Sequence, residues 1–409
     1  VAINTRKFPH KFILLRIFKK ISILAQKICI LGTAYPYRGG LAVYNERLAN
    51  AFQDEGASIK IETFTLQYPG FLFPGKTQFA DWEAPKSLCI EQSVNSINPL
   101  NWIKVGIKIK KQKPDLLIIK YWLPFMAPCF GTIARIAKQN KHTKVISILD
   151  NIIPHEKRPG DTVFSNYFSK SADAFVAMSK SVLSDLNHFD TSKPRAFCPH
   201  PLYDNFGPKV ERHTALKNLN LNPEFQYILF FGLIRDYKGL DLLIEAFADE
   251  RFRQLKIKLI IAGEFYSDEE KYTQQINKHR LQENIVLHNR FVPDPEVGDY
   301  FGAADIIAQP YKTATQSGVT QIGYHFEKPM LVTNVGGLAE IIPDQKVGYV
   351  VEPNPKAIAD KLVDFFEHKK ASLFHKNILE EKKKYTWNTM TSTIQQLYKQ
   401  LIENHANQK

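Results

Sequence analysis

Arg235 and Lys238 stand three positions apart between Gly232 and Gly239, where the apolar run Tyr227–Phe231 gives way to the helical pattern Leu240–Phe247. A guanidinium fork, an ammonium, loop amides and the positive end of a helix dipole can meet there on one diphosphate. A solvated basic turn is the plainer reading, but the bracketing glycines and the apolar run leading in favour an anion site. Further along, Thr315 or Ser317 is placed to cap a helix, which turns the Ser317, Gly318 and Val319 amides toward an anion. A capped helix without a ligand is the alternative. Because the loop-then-helix spacing repeats, one pyrophosphate held between two helix starts is the economical expectation. In the first half, Asp150, His155 and Glu156 follow the apolar run Val145–Leu149. His155 suits orienting a hydroxyl or assisting proton movement, since imidazole titrates near neutrality. A surface histidine beside Pro154 is the competing reading.

Two glycine-containing turns add weaker signals. Gly39 and Gly40 follow the run Ile28–Leu31 and precede a helix. They do not form the dinucleotide-binding fingerprint, and no acid is in register for a ribose, so a nicotinamide-dependent oxidoreductase is disfavoured. A loop that lets backbone amides approach phosphate or sugar, and an ordinary strand-to-helix turn, fit them equally. Gly263 and Glu264 follow Leu259–Ala262 and read as a close-approach site or a simple turn.

The elements that must position these residues alternate. Short apolar runs separated by helical stretches recur at Ile28–Leu31, Ile59–Phe64, Leu116–Lys120, Val145–Leu149 and Phe175–Met178. They resume at Tyr227–Phe231, Leu259–Ala262, Ile285–His288, Ile306–Gln309, Met330–Thr333 and Tyr349–Val351. That pattern predicts an α/β chain with two doubly wound parallel sheets facing across a cleft. At 409 residues, two domains are the default. The Pro-rich stretch 197–207 reads as their linker. The expected division is an extension at 1–26, an N-terminal domain at 27–205, a C-terminal domain at 206–382, and a helix at 383–409 packing back on the first domain.

Hydrophobic content of 44% with 23% charged residues describes a folded chain, and the net charge of +13 calls for an anionic partner. No zinc-finger spacing, recognition helix or RNA-binding aromatic motif accompanies that charge, so nucleic acid is not the expected partner. Four scattered cysteines point to a reducing compartment and no structural metal. Residues 1–26 hold Arg6, Lys7, Lys11, Arg16, Lys19 and Lys20 with no acid, interleaved with Phe8, Phe12, Leu15, Phe18 and Ile21. They read either as a basic amphipathic segment for an anionic bilayer or as an extension ahead of a domain that starts at Lys27.

These motifs together resemble the glycosyltransferases of GT-B fold, with two Rossmann-like domains, and among them the large retaining group 1 transferases of family 4. The resemblance runs from about residue 27 to the end. It is carried by Gly39-Gly40, by Gly232 to Gly239 with Arg235 and Lys238, and by Gly263-Glu264. Phe291-Val292-Pro293, the stretch Lys328 to Glu340 and the stretch Gly348 to Pro353 complete it. It implies a nucleotide-sugar donor, UDP- or GDP-linked, held mainly by the C-terminal domain at Gly232, Gly263, Glu264, Phe291, Val292 and Ser317–Val319. The acceptor, a glycan or lipid-linked glycan, would be held mainly by the N-terminal domain. The basic N-terminal segment and the net charge of +13 suit a cytoplasmic enzyme, peripheral on the inner face of the plasma membrane.

No Asp-X-Asp pair is present, the motif with which the other nucleotide-sugar transferase architecture commonly binds a metal. No metal and no cofactor are therefore expected, and fixed cations would serve the diphosphate. The chain departs from the family at three places. Two glutamates eight residues apart are replaced by Ala314 and Ile322, with Gln316 and Gln321 as neutral neighbours suited to the donor. A histidine after Val145–Leu149 is replaced by Asp150. These departures keep a second expectation open: a catalytically silent nucleotide-sugar-binding subunit of a glycan-assembly complex.

Overall fold

The computed structural model describes residues 25, 27–70, 77–80, 83–154, 158–204, 206–266, 268–314 and 317–407. The basic segment, apart from Ala25, therefore lies outside the described residues, as do His155, Glu156, Thr315 and Gln316.

The first sheet is built in chain order from β1 (Lys27–Leu31), helix α1 (Gly40–Asp54), β2 (Ser58–Leu66), β3 (Ile90–Asn95) and α2 (Pro99–Gln112). β4 (Leu116–Tyr121), α3 (Ala127–Lys138), β5 (Lys144–Leu149), α4 (Asp161–Ser169), β6 (Ala174–Ala177) and β7 (Arg195–Phe197) complete it. Its order is β3-β2-β1-β4-β5-β6-β7, and every neighbouring pair is parallel. Helices cover both faces, so a central strand need not alternate: all six residues of β4, Leu-Leu-Ile-Ile-Lys-Tyr, are buried. Val105 and Ile109 of α2, Phe130 of α3 and Phe168 of α4 share the core on one face. Tyr44, Leu48 and Phe52 of α1 pack into the core on the other.

The second sheet takes β8 (Gln226–Phe231), α5 (Leu240–Phe247), β9 (Ile257–Ala262), β10 (Ile285–His288), β11 (Ile306–Gln309), α6 (Gly318–His325), β12 (Met330–Thr333) and β13 (Gly348–Val351). Its order is β10-β9-β8-β11-β12-β13, again parallel throughout. The apolar spacing of α5 buries Leu240, Leu243, Ile244 and Phe247 as one stripe. Both sheets match the doubly wound reading of the sequence.

The last helix, α7 (Trp387–Asn407), crosses back to the first sheet and packs on α1 and on β5 to β7. The Trp387 ring lies 5.2 Å from Tyr44, and its indole N–H donates to the Leu202 carbonyl at 2.8 Å. Among the described residues no helix is long and apolar enough to cross a membrane.

Candidate functional site

A cavity of about 480 Å³ opens between the two sheets, where the strands of both end. Lys120 and Asp150 line it from β4 and from the turn after β5; Gly232 and Gly263 line it from the turns after β8 and β9. Twelve sequence candidates meet there: Gly39, Gly40, Asp150, Gly232, Lys238, Gly263, Glu264, Phe291, Val292, Ser317, Gly318 and Val319.

Lys238 ends a short 3-10 turn, Asp236–Lys238. Gly239 follows at φ 68°, and a Cβ on it would come within 1.9 Å of the Pro310 carbonyl oxygen, so only glycine lets the turn pack against β11. The Lys238 ammonium then sits above Gly232 and 5.7 Å from the Tyr311 ring centre. Burial, with the nearby Arg235 charge, pulls its pKa down to about 8. Arg235 does not line the cavity: its guanidinium stands 5.4 Å from the Tyr266 ring. The turn brings Lys238 onto the cavity wall and keeps the Arg235 charge near enough to depress its pKa.

Ser317 is the cap of α6, its hydroxyl accepting from the Val319 N–H at 3.2 Å. That bond already engages one of the three amides expected to face an anion. The Tyr203 ring lies over Gly318, where an added Cβ would be 2.9 Å from a ring carbon. Tyr203 comes from the Pro-rich linker and also donates to the Gly40 carbonyl at 3.1 Å, so it closes the cavity from the first domain's side.

On that side the main polar feature is a buried ion pair. The Lys120 ammonium meets Asp150 at 2.6 Å and lies 3.6 Å from the Tyr44 ring centre. Burial lowers the Lys120 pKa, and Asp150 opposes that shift. His200 stands nearby with its ring 5.0 Å from Tyr44 and 4.8 Å from Tyr203. Its Nδ1 is 2.6 Å from the Pro201 carbonyl, which can only accept, so Nδ1 carries the proton. Burial and the Lys120 charge hold His200 down at about 3, a neutral imidazole.

Arg38 spans the opening. It donates to Glu264 at 3.0 Å, and its guanidinium lies 4.0 Å from the Phe291 ring centre. A side cavity of about 120 Å³ adjoins this loop and shares Gly39, Val43 and Asp294 with the larger one. Glu46 lines it. Burial and the Asp294 charge push its carboxyl up to about 7, against the Tyr35 N–H that bonds it.

The sequence reading missed Lys120, His200, Tyr203, Arg38 and Glu46. Lys120 had one signal, a charge inside a fully apolar run. His200 and Tyr203 sit in a segment whose prolines mark it as linker. Gln321 is fully buried and does not line the cavity, and neither of its side-chain amide atoms has a hydrogen-bond partner among the described residues. Ile322, beside it, does line the cavity. His155 and Gln316 fall outside the described residues. Among the described residues no group of three or more His, Cys, Asp or Glu is arranged to hold a metal ion.

Comparison with known proteins agrees with this geometry. Residues 211–384 match the family described as Glycosyl transferases group 1. An uncharacterized glycosyltransferase of Methanocaldococcus jannaschii is 22% identical, over 93% of this chain and 100% of that one. A D-inositol 3-phosphate glycosyltransferase of Pseudarthrobacter chlorophenolicus is 23% identical over 77% of this chain and 78% of its own. Among solved structures, sucrose-phosphate synthase of Thermosynechococcus elongatus superposes with a TM-score of 0.73 at 15% identity, covering 92% of this chain and 100% of that one. Anabaena HepE in complex with UDP and glucose superposes at 0.67 and 15% identity, covering 93% and 100%. The chain thus has the GT-B fold, and its residues 211–384 are similar to the glycosyl transferases group 1 family.

Proposed function

We propose that the chain is a retaining glycosyltransferase that moves a hexosyl group from a UDP- or GDP-sugar to a hydroxyl acceptor, without a metal ion. The acceptor would be a growing bacterial surface or lipid-linked glycan, and the site of action the inner face of the plasma membrane. The observation that carries this reading is Lys238, a cation in the turn that follows β8, on the wall of a cavity between two parallel sheets. In the reaction the bond from the sugar's anomeric carbon to the diphosphate breaks and a bond to the acceptor oxygen forms on the same face. The acceptor proton passes to the departing diphosphate oxygen. Lys238 stabilises the charge that grows on that oxygen, an interaction stronger in the transition state than in the ground state. Asp150, through Lys120, fixes the cavity wall against which the sugar is held. Calorimetric titration with UDP-, GDP-, ADP- and CMP-sugars in metal-free buffer tests the proposal. One donor should bind, and Lys238→Ala should abolish that binding. Silence toward every donor, with and without acceptor, counts against it.

One observation favours the second reading, a silent nucleotide-sugar-binding subunit. Ile322 presents an apolar side chain to the cavity where the family resemblance places a carboxylate. Turnover separates the two: a silent subunit binds donor and releases it unchanged, whereas a transferase consumes it once acceptor is added.

A further inference from the structure

Trp122, directly after β4, lines the cavity from the first domain and is half-buried. Its orientation is fixed by neighbours. The indole N–H donates to the Tyr68 hydroxyl at 2.7 Å, and Tyr68 is itself stacked on Phe125 at 5.9 Å. Phe130 and Phe64 stand edge-to-face with the indole at 5.6 and 6.4 Å. With its one polar atom engaged inside the first domain, the ring has only apolar surface left to give to the cavity.

Polar groups stand beside it. Asp150 and Asn151, in the turn after the neighbouring strand β5, line the same cavity. The Asp150 N–H donates to the Tyr121 carbonyl at 2.9 Å, and the Asn151 amide donates to the Trp122 carbonyl at 3.4 Å, so the two turns are tied together. A carboxylate accepts more than one hydrogen bond, which lets Asp150 keep Lys120 and still take a hydroxyl. From the second domain the Arg235 charge acts on the Tyr68 phenol. The aromatic group therefore faces the turn that carries Lys238.

We propose that Trp122 is the platform on which a pyranose ring of the acceptor stacks, with Asp150 and Asn151 binding its hydroxyls. The chemistry of the wall decides the occupant. A pyranose presents C–H bonds on its faces, weakly positive at hydrogen, and the face of an indole is negative. Its hydroxyls lie around the rim, where a carboxylate and a carboxamide supply an acceptor and a donor. A phosphate on a lipid carrier would need a cation at this wall, and the ammonium there is already held by Asp150. Naming the ring as the acceptor's rests on the transferase reading, since it puts that ring across the cleft from the diphosphate at Lys238. Sugar binding at Trp122 does not rest on it.

Saturation-transfer NMR of the full chain with maltose, cellobiose, lactose and chitobiose, in the absence of donor, is the test. At least one disaccharide should receive magnetisation at its ring C–H protons, and Trp122→Leu should lower its affinity by about tenfold. Trp122→Phe keeps an aromatic face and should lose no more than about threefold. Tyr68→Phe retains both rings but frees the indole N–H, so it should weaken the sugar by about threefold, and it serves where Trp122→Leu does not fold. Equal binding by wild type and Trp122→Leu overturns the proposal, as does a panel in which no disaccharide binds. A UDP- or GDP-sugar that loses about tenfold in Trp122→Leu also overturns it, because the ring would then carry the donor's base or sugar. A chain that binds a disaccharide through Trp122 but consumes no donor keeps the sugar subsite and loses the transferase reading. A chain that transfers sugar equally well after Trp122→Leu loses the subsite and keeps that reading.

Discussion

Arg38 of the first domain and Glu264 of the second meet at 3.0 Å across the cleft, with both side chains largely buried. The guanidinium also lies against Phe291, so one side chain joins the loop after β1 to the turns after β9 and β10. A pair shielded in this way should be coupled well beyond the value of an exposed salt bridge. In a double-mutant cycle with Arg38→Ala and Glu264→Gln, urea unfolding should give a coupling of about 1–3 kcal/mol. A coupling indistinguishable from zero would mean that the two domains are held by other contacts.

Lys238 should make donor affinity depend on pH in one direction. Its pKa near 8 in the free protein rises when a diphosphate binds, because the anion favours the charged form. Affinity should therefore be flat below pH 8 and weaken above it by up to tenfold per unit. Lys238→Met should lose the binding and the pH dependence together. The unliganded fold should respond in the opposite sense. Between pH 8 and the ordinary lysine value of 10.5 the unfolded chain binds the extra proton, so wild-type stability from this group rises with pH across that window. Below pH 8 the Met variant should be more stable by about 1–3 kcal/mol, as measured by chemical denaturation.

The sheets were legible where strands are buried on both faces, because β4, β5, β9 and β11 are short apolar runs that nothing else explains. β3 and β7 were not. β3 reads Ile-Glu-Gln-Ser-Val-Asn with only Val94 buried, and β7 has three residues, none of them buried. Edge strands need no apolar face, so they leave no pattern in the sequence. The site divides in the same way. Glycines and cations at the ends of central strands announce themselves, as Gly232, Lys238 and Gly263 do. Arg38, Lys120 and His200 acquire meaning only from partners about thirty or more positions away or from burial, neither of which spacing reveals.

Lys120 and Asp150 should act as a unit. Lys120 is 2% exposed, so its charge is tolerated only because Asp150 is 2.6 Å away and the Tyr44 ring lies beneath it. Removing either partner alone, by Lys120→Met or Asp150→Asn, should cost about 3–5 kcal/mol of stability. The double variant Lys120→Met, Asp150→Leu should recover most of that loss. Urea denaturation reads all three. Strict additivity would show that the pair contributes nothing as a pair.

Gln321 separates a structural glutamine from a donor ligand. Its amide is fully buried and has no partner among the described residues, a state that costs about 1–3 kcal/mol. Gln321→Leu, close in volume, should raise the thermal midpoint and leave donor affinity within about twofold. A tenfold weaker donor at unchanged stability would instead mean that the side chain reaches the ligand once the domains close.

His200 should make the fold sensitive to acid. Its folded pKa, about 3, lies below the ordinary value of 6.5, because the ring is buried beside Lys120 and between Tyr44 and Tyr203. Between those two values the unfolded chain binds a proton that the folded chain refuses. The stabilising neutral state is therefore fully present above pH 6.5 and is lost as pH falls toward 3, at up to about 1.4 kcal/mol per unit. Carboxylates add to the acid loss in any protein, so the informative quantity is a difference of slopes. His200→Asn removes the titrating ring while keeping a donor for the Pro201 carbonyl. Urea denaturation of both proteins at several values between pH 6 and 4 should show a slope smaller by about one proton in the variant. Equal slopes would mean that His200 takes up its proton in the folded state as well, which would require the Lys120 ammonium to move away from the ring.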